Sequence, residues 1–234
     1  MIDINTKLAV LTILYSIYED FVRSFTLACE KSCALCCTRG VTLTTIEGYM
    51  ILDHMVSKGK SDLLEKISVV ASEKRFQPKV TTNELADLCV QGKDIPDEET
   101  GDRWGSCPLL VNDECPIYKV RPFACRCMVS SRNCHETGYA DVDSFIISVN
   151  NLFFQTIENI DSTGLSGNLT DVLLFLESED NRKHYRNHNL ERKGIELIPN
   201  HPVKSLMIPP EHRVKIKSII DKIRRINVPG SSKS

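Results

Sequence analysis

Four cysteines crowd the stretch Cys-Glu-Lys-Ser-Cys-Ala-Leu-Cys-Cys: Cys29, Cys33, Cys36 and Cys37. Thiols have three ordinary uses. They pack as small apolar groups, they cross-link, or as thiolates they hold a soft metal, either zinc or an iron–sulfur cluster. Packing suits one or two cysteines on a helix face, and four in so short a run exceed it. A bridge between Cys36 and Cys37 is strained, because neighbouring Cα atoms stand about 3.8 Å apart and a relaxed disulfide wants about 4.4 to 6.8 Å. Metal ligation is favoured, because a second group follows downstream: Cys107, Cys115, Cys125, Cys127 and Cys134. Seven or eight thiolates allow two tetrahedral sites, or one cluster with thiols left over. The adjacent pair Cys36–Cys37 favours a cluster or two metals. Arg121 and Arg126 flank Cys125. Four thiolates on a divalent ion carry a net charge of about −2, which guanidinium groups would offset while donating hydrogen bonds to sulfur.

The elements that must position these residues read as mostly helical. Residues 3–28 carry Leu8, Leu11, Leu14, Tyr15, Tyr18, Phe21 and Phe25 at spacings of three and four, a helix with a broad buried face. That helix runs straight into the first cysteines. If it persists, the offsets i, i+4, i+7 and i+8 put four sulfurs on one face; if it unwinds near Gly40, they form a tight knuckle. Val41-Thr42-Leu43 is strand-like. Thr44 with Glu47 three residues on is a capping box, which predicts a helix over 45–58. Further helices are predicted over 61–75, 83–90, 141–160, 169–178 and 210–227. Residues 182–193 are basic and poorly periodic, and 229–234 read as a disordered tail. Residues 107–118 predict two short strands around Asn112-Asp113-Glu114, a hairpin that brings Cys107 and Cys115 to one end. Trp104 is expected to cover the site or to anchor the core, and the isolated Cys89 to sit in the core.

The chain has 234 residues, 41% hydrophobic and 26% charged, with ten cysteines. That composition is globular and far from the cysteine density of small secreted disulfide scaffolds. The apolar run Leu8–Tyr18 is too short to span a bilayer and lacks the flanks of an export signal. The expectation is a reducing cytoplasm, where clustered cysteines bind metal or do redox work. Charge is segregated: residues 1–181 hold 16 Lys and Arg against 27 Asp and Glu, and residues 182–234 hold 13 against 4. The expected architecture is mainly α with a small β-hairpin, a helical domain built around a cysteine-rich metal site over 1–180. A basic helical extension over 181–234 is packed on it or appended to it.

The joint pattern Cys29-x3-Cys33-x2-Cys36-Cys37, a capped helix, Cys107-Pro, then Cys115-x-Ile-Tyr-x2-Arg121-Pro122-x2-Cys125-Arg126 resembles the YkgJ-type cysteine-cluster family. The match covers about residues 25–130. The resemblance implies chelation of zinc or iron by Cys29, Cys33, Cys36, Cys37, Cys107, Cys115 and Cys125; Cys127 and Cys134 stand outside the shared pattern. The same family includes a flagellin lysine methylase, but this chain has no separate nucleotide-binding motif such as G-x-G-x-x-G, so no activity is carried over. Three functions compete. The first is a metal-binding protein holding zinc or an iron–sulfur cluster. The second is a cluster-dependent redox or group-transfer enzyme, which needs a deep pocket beside the cysteines. The third is a metal-stapled adaptor whose basic C-terminal segment binds nucleic acid or an acidic protein; it lacks the aromatic interleaving of single-strand binding surfaces.

Overall fold

A computed structural model describes residues 2–30, 32–99, 104–190 and 196–226. The fold is mainly α, as expected. Helix α1, Ile4–Val22, starts where the Asp3 carboxylate accepts the Asn5 and Thr6 amides. It stops short of the expected end, where the Ser24 hydroxyl takes the Phe21 carbonyl, the local competition with helix bonds that serine favours. The cysteines therefore lie beyond the helix, in a run of turns.

Strand β1, Thr42–Thr44, leads into α2, Thr45–Ser57, through the predicted capping box. Helix α3, Asp62–Val69, ends earlier than predicted, at the β-branched pair Val69-Val70. Helix α4 is Thr82–Gln91. Two one-turn helices carry part of the second cysteine group: α5, Phe123–Arg126, holds Cys125, and α6, Cys134–Thr137, opens on Cys134. Helix α7, Ser144–Ile160, is the long amphipathic helix expected over 141–160. Strand β2, Leu165–Asn168, leads into α8, Leu169–Glu177. Helix α9, Glu179–Arg186, arises in a stretch read as irregular; Ser178 caps it, Glu179 binds Arg182 and Arg186, and of its residues only Tyr185 is buried. Strand β3, Ile198–Pro199, and helix α10, Arg213–Arg224, complete the order.

The strand-like Val41-Thr42-Leu43 does enter a strand, β1, but the sheet it joins is not the hairpin predicted over 107–118. Strand β1 pairs antiparallel with β2, Leu43 opposite Gly167, and β2 pairs antiparallel with β3. The expected hairpin over 107–118 reduces to one bridge, Val111 to Glu114, around Asn112 and Asp113, both at positive φ. The next hydrogen-bonded pair of such a ladder would require an amide from Pro116, and proline has none.

Two apolar clusters fill the body. One joins α1, α7, Phe123 and Tyr185 with Ile216 and Ile219 of α10, so the extension is packed on the domain. The other joins α2, α3 and α8 with Leu109 and Ile117. Helix α2 touches both, and it lies so near α8 that a Cβ on Gly48 would come within 2.6 Å of Val172. Among the described residues, no cation of α10 forms an ion pair, and no helix is long and apolar enough to cross a membrane.

Beneath the start of α2, Asp161 is fully buried. It pairs with Lys7 at 3.2 Å and accepts hydrogen bonds from the Thr45 hydroxyl and the Ile46 amide. Burial holds the Asp161 carboxyl above its usual range, against the pull of Lys7. A raised value means its contribution to stability is complete below the unfolded value and is lost as pH rises through the folded one. Lys7→Met strands this charge and should destabilise the fold by about 3–5 kcal/mol at neutral pH. The deficit should shrink near pH 4.5, where the unpaired acid protonates more easily. Urea unfolding of variant and parent at both pH values checks this; an equal deficit at both would refute it.

Candidate metal centre

The first four cysteines form a knuckle. Turns close from the Cys33 amide to the Glu30 carbonyl and from the Cys37 amide to the Ala34 carbonyl, with Ser32 at a φ of 66°. This is the unwound alternative, brought forward to residue 23. The end of the knuckle then zips onto the segment before the second cysteines. The Cys107 amide donates to the Cys37 carbonyl at 2.9 Å, Thr38 bridges Ser106, and the Arg39 amide donates to the Gly105 carbonyl at 3.0 Å. The Arg39 side chain reaches the Trp104 carbonyl, and Asn168 of β2 holds the Arg39 carbonyl. Trp104 packs edge-on against Phe76, and a Cβ on Gly40 would lie only 2.9 Å from its ring. Trp104 thus buttresses the base of the knuckle.

The second group is folded by short-range bonds. Leu110 donates back to the Cys107 carbonyl, Tyr118 to the Cys115 carbonyl, and Cys125 to that of Pro122. Lys60, in the loop between α2 and α3, donates to the Pro116 carbonyl at 2.9 Å. Arg121 lies 3.7 Å from the Tyr118 ring centre and donates to the Tyr118 carbonyl. Arg126, expected beside the sulfurs as a donor, is instead buried under Cys125. Its nitrogens bind Glu19 and the carbonyls of Lys119 and Arg121, and its plane lies 4.0 Å from the Tyr15 ring centre. It is a strut.

Glu47 completes the support. Its buried carboxylate accepts the Thr44 amide and hydroxyl, the Tyr15 hydroxyl at 2.8 Å and the Phe123 amide at 2.7 Å. The capping box identified Glu47 as a helix residue; nothing local pointed to its hold on Phe123 and α5. Burial raises the Glu47 carboxyl, and the donated hydrogen bonds oppose that shift.

The thiols of the two groups are electrostatic neighbours. Cys37 donates its S–H to Cys36, which lowers Cys36, helped by Arg121, and raises Cys37; the charges of Cys125 and Cys107 push Cys37 further up. Burial lifts Cys107 to about 11, with Cys115 adding to it. Burial also lifts Cys125, beside Cys107, Cys115, Cys127 and Cys36. Cys115 is raised by burial while Arg121 and Lys60 draw it down. Among the described residues no group of three or more Cys, His, Asp or Glu side chains is placed so that it could hold a metal ion. The remaining cysteines differ. Cys127 is buried, its thiol pushed up to about 12 by burial. Cys134 opens α6. Cys89, expected in the core, is exposed in the last turn of α4, past the buried Asn83 and Ala86.

The chain matches no family model, no curated protein and no solved structure. Its chemistry must be read from its own residues. A groove of about 560 Å³ between α4, α7 and residues 205–212 is mostly apolar and has Cys89 in its lining, but none of the cysteines expected to bind metal.

Replacing Glu47 by alanine would strip acceptors from the Tyr15 hydroxyl and the Thr44 and Phe123 amides. Each buried donor left unpaired costs about 1–3 kcal/mol, so Glu47→Ala should lose roughly 3 kcal/mol or more in denaturant unfolding. Faster hydrogen exchange at Phe123 and Cys125 should accompany the loss. Unchanged exchange there would show that Glu47 does not secure the second cysteine group.

Proposed function

We propose that this chain is a metal-binding protein in which the two cysteine groups together hold zinc or an iron–sulfur cluster. One observation carries the reading: the backbone bond from Cys107 to Cys37, which seats two groups distant in sequence against one another. Around that seam the charges of Cys36, Cys37, Cys107, Cys115 and Cys125 act on each other. Cys37, Cys107, Cys115 and Cys125 are poorly placed to ionise as free thiols, whereas Cys36 is drawn the other way, and a divalent cation would displace the protons that remain. Arg121 supplies positive charge at the edge of the group. The resemblance to the YkgJ-type family points the same way, and a reducing compartment such as the cytoplasm suits a site that needs free thiols.

The enzyme reading has less support, since the described groove does not open onto these cysteines. The adaptor reading rests on the exposed basic residues of α10 alone.

Full-length protein purified without oxygen should carry zinc or iron by elemental analysis. A visible absorption band would indicate a cluster, and a colourless metalloprotein would indicate zinc. Cys107→Ser with Cys125→Ser should lose most of that metal. Treatment of the parent with a chelator should speed proteolysis within residues 24–40 while leaving the helical signal largely intact, because the apolar clusters lie beneath the site. A folded parent that contains no metal, and takes up none when supplied, would overturn the reading.

A further inference from the structure

Beyond the metal-binding reading and independent of it, we propose that the outward face of α10 is a binding surface for double-stranded DNA. Its two rows of cations would lie against the phosphates on either side of the major groove.

From Arg213 to Arg225 the chain carries Arg213, Lys215, Lys217, Lys222, Arg224 and Arg225 against one acid, Asp221. The acidic body beneath the helix could neutralise such a run, and it does not. Helix α10 lies on the body through the buried Ile216 and Ile219, with Ile220 and Ile223 packed beside them. All six cations are exposed. Among the described residues none of them forms an ion pair. Lys215 holds its ammonium 3.9 Å from the centre of the Phe145 ring, a contact that positions it without a counter-charge.

Helical spacing sorts these residues. Arg213, Lys217 and Arg224 fall in one row and Lys215 and Lys222 in another, on opposite flanks of the arc that Ile216 and Ile219 bury. Between the rows, turned away from the body, lie Val214, Ser218 and Arg225. Val214 is 89% exposed, so short side chains lead this ridge. A helix with its side chains is about 10–12 Å across, and the major groove of B-form DNA is about 12 Å wide. The two rows therefore match the two phosphate walls, with the ridge entering between them. The length of α10, about 18 Å, covers about half a turn of the duplex.

Other polyanions fit less well. An amphipathic helix that seeks a bilayer buries its apolar face in lipid, and that face of α10 is already committed to the core. Single strands are held by stacking on aromatic rings, and residues 213–225 contain none. The RNA duplex has a deep, narrow major groove that side chains do not read. An acidic polypeptide offers carboxylates but no two-walled groove to match two rows. The rest of the chain sharpens the choice of face. Residues 1–181, with 27 acids against 16 Lys and Arg, repel a phosphate backbone and leave α10 to meet it.

The test titrates full-length protein, as purified and after chelation, against a fluorescent mixed-sequence DNA duplex and follows anisotropy. The parent should bind. Its affinity should fall more than about a hundredfold between roughly 50 and 200 mM salt, as counterion release requires. Lys217→Glu with Arg224→Glu, on one flank, should weaken binding about tenfold or more, and so should Lys215→Glu with Lys222→Glu on the other. Lys217→Ala should lower the slope of log affinity against log salt by about one. Lys93→Glu, at an exposed residue beyond α4, should match the parent. All these sites are exposed, so the core is spared, and circular dichroism verifies the fold. No binding of the duplex at low salt overturns the proposal, as does binding that the flank variants leave unchanged. Equal or tighter binding of single-stranded DNA, an RNA duplex, poly-glutamate or phosphatidylserine vesicles overturns it too, and identifies a different occupant. Chelation should leave duplex binding unchanged, so a chain that proves to hold no metal leaves this inference standing; binding lost on chelation would overturn its independence from the cysteines.

Discussion

The structure depends on one buried carboxylate. Glu47 ends the strand that enters α2, receives a tyrosine hydroxyl from α1, and holds the first amide of α5. An acid removed from water is costly unless every lone pair is matched, and here backbone and hydroxyl donors converge on it from three elements. Tyr15, whose hydroxyl donates to Glu47, also gives its ring face to Arg126, and Arg126 in turn gathers two carbonyls and Glu19. The chain Glu47–Tyr15–Arg126 therefore fixes the floor on which Cys125 stands. Asp161 does comparable work one residue along, joining α1 and the start of α2 through Lys7, Thr45 and Ile46.

Above that floor the first group of thiols sits on little apolar material, whereas Cys107 and Cys115 pack against the second apolar cluster. Among the described residues, the knuckle from Cys29 to Gly40 contributes no side chain to either apolar cluster, and turns and the seam to residues 105–107 hold its backbone. A lattice of this kind is stable in outline and weak in detail. Under the proposed metal-binding reading, metal–sulfur bonds would stiffen it, since each would replace a thiol proton with a directed bond.

Much of the fold was legible because its signals are local. Periodic apolar residues marked α1 and α7, and Thr44 with Glu47 marked the start of α2 to the residue. Helix α9 escaped because a short polar helix, held by Ser178 and Glu179, has no apolar stripe to reveal it. The predicted hairpin rests on the turn residues Asn112-Asp113-Glu114; that turn forms, but Pro116 has no amide with which to extend the ladder beyond the Val111–Glu114 bridge. Cys89 was assigned to the core on residue type alone, yet α4 turns only Asn83 and Ala86 inward. Of the site, the cysteines and Arg121 were visible as types and spacings. The seam between Cys37 and Cys107, the burial of Arg126 and the reach of Glu47 to Phe123 were not, since contacts between distant segments leave no periodic trace in the chain.

That seam also imposes an order of events during synthesis. Cys29, Cys33, Cys36 and Cys37 leave the ribosome well before Cys107, Cys115, Cys125 and Cys134 exist. Contacts between remote segments form late, after the loop between them has closed. A nascent chain therefore passes through an interval in which one complete thiol quartet is available and its proper partners are not. Under the proposed metal-binding reading, a cation arriving in that interval would meet the first four thiols alone.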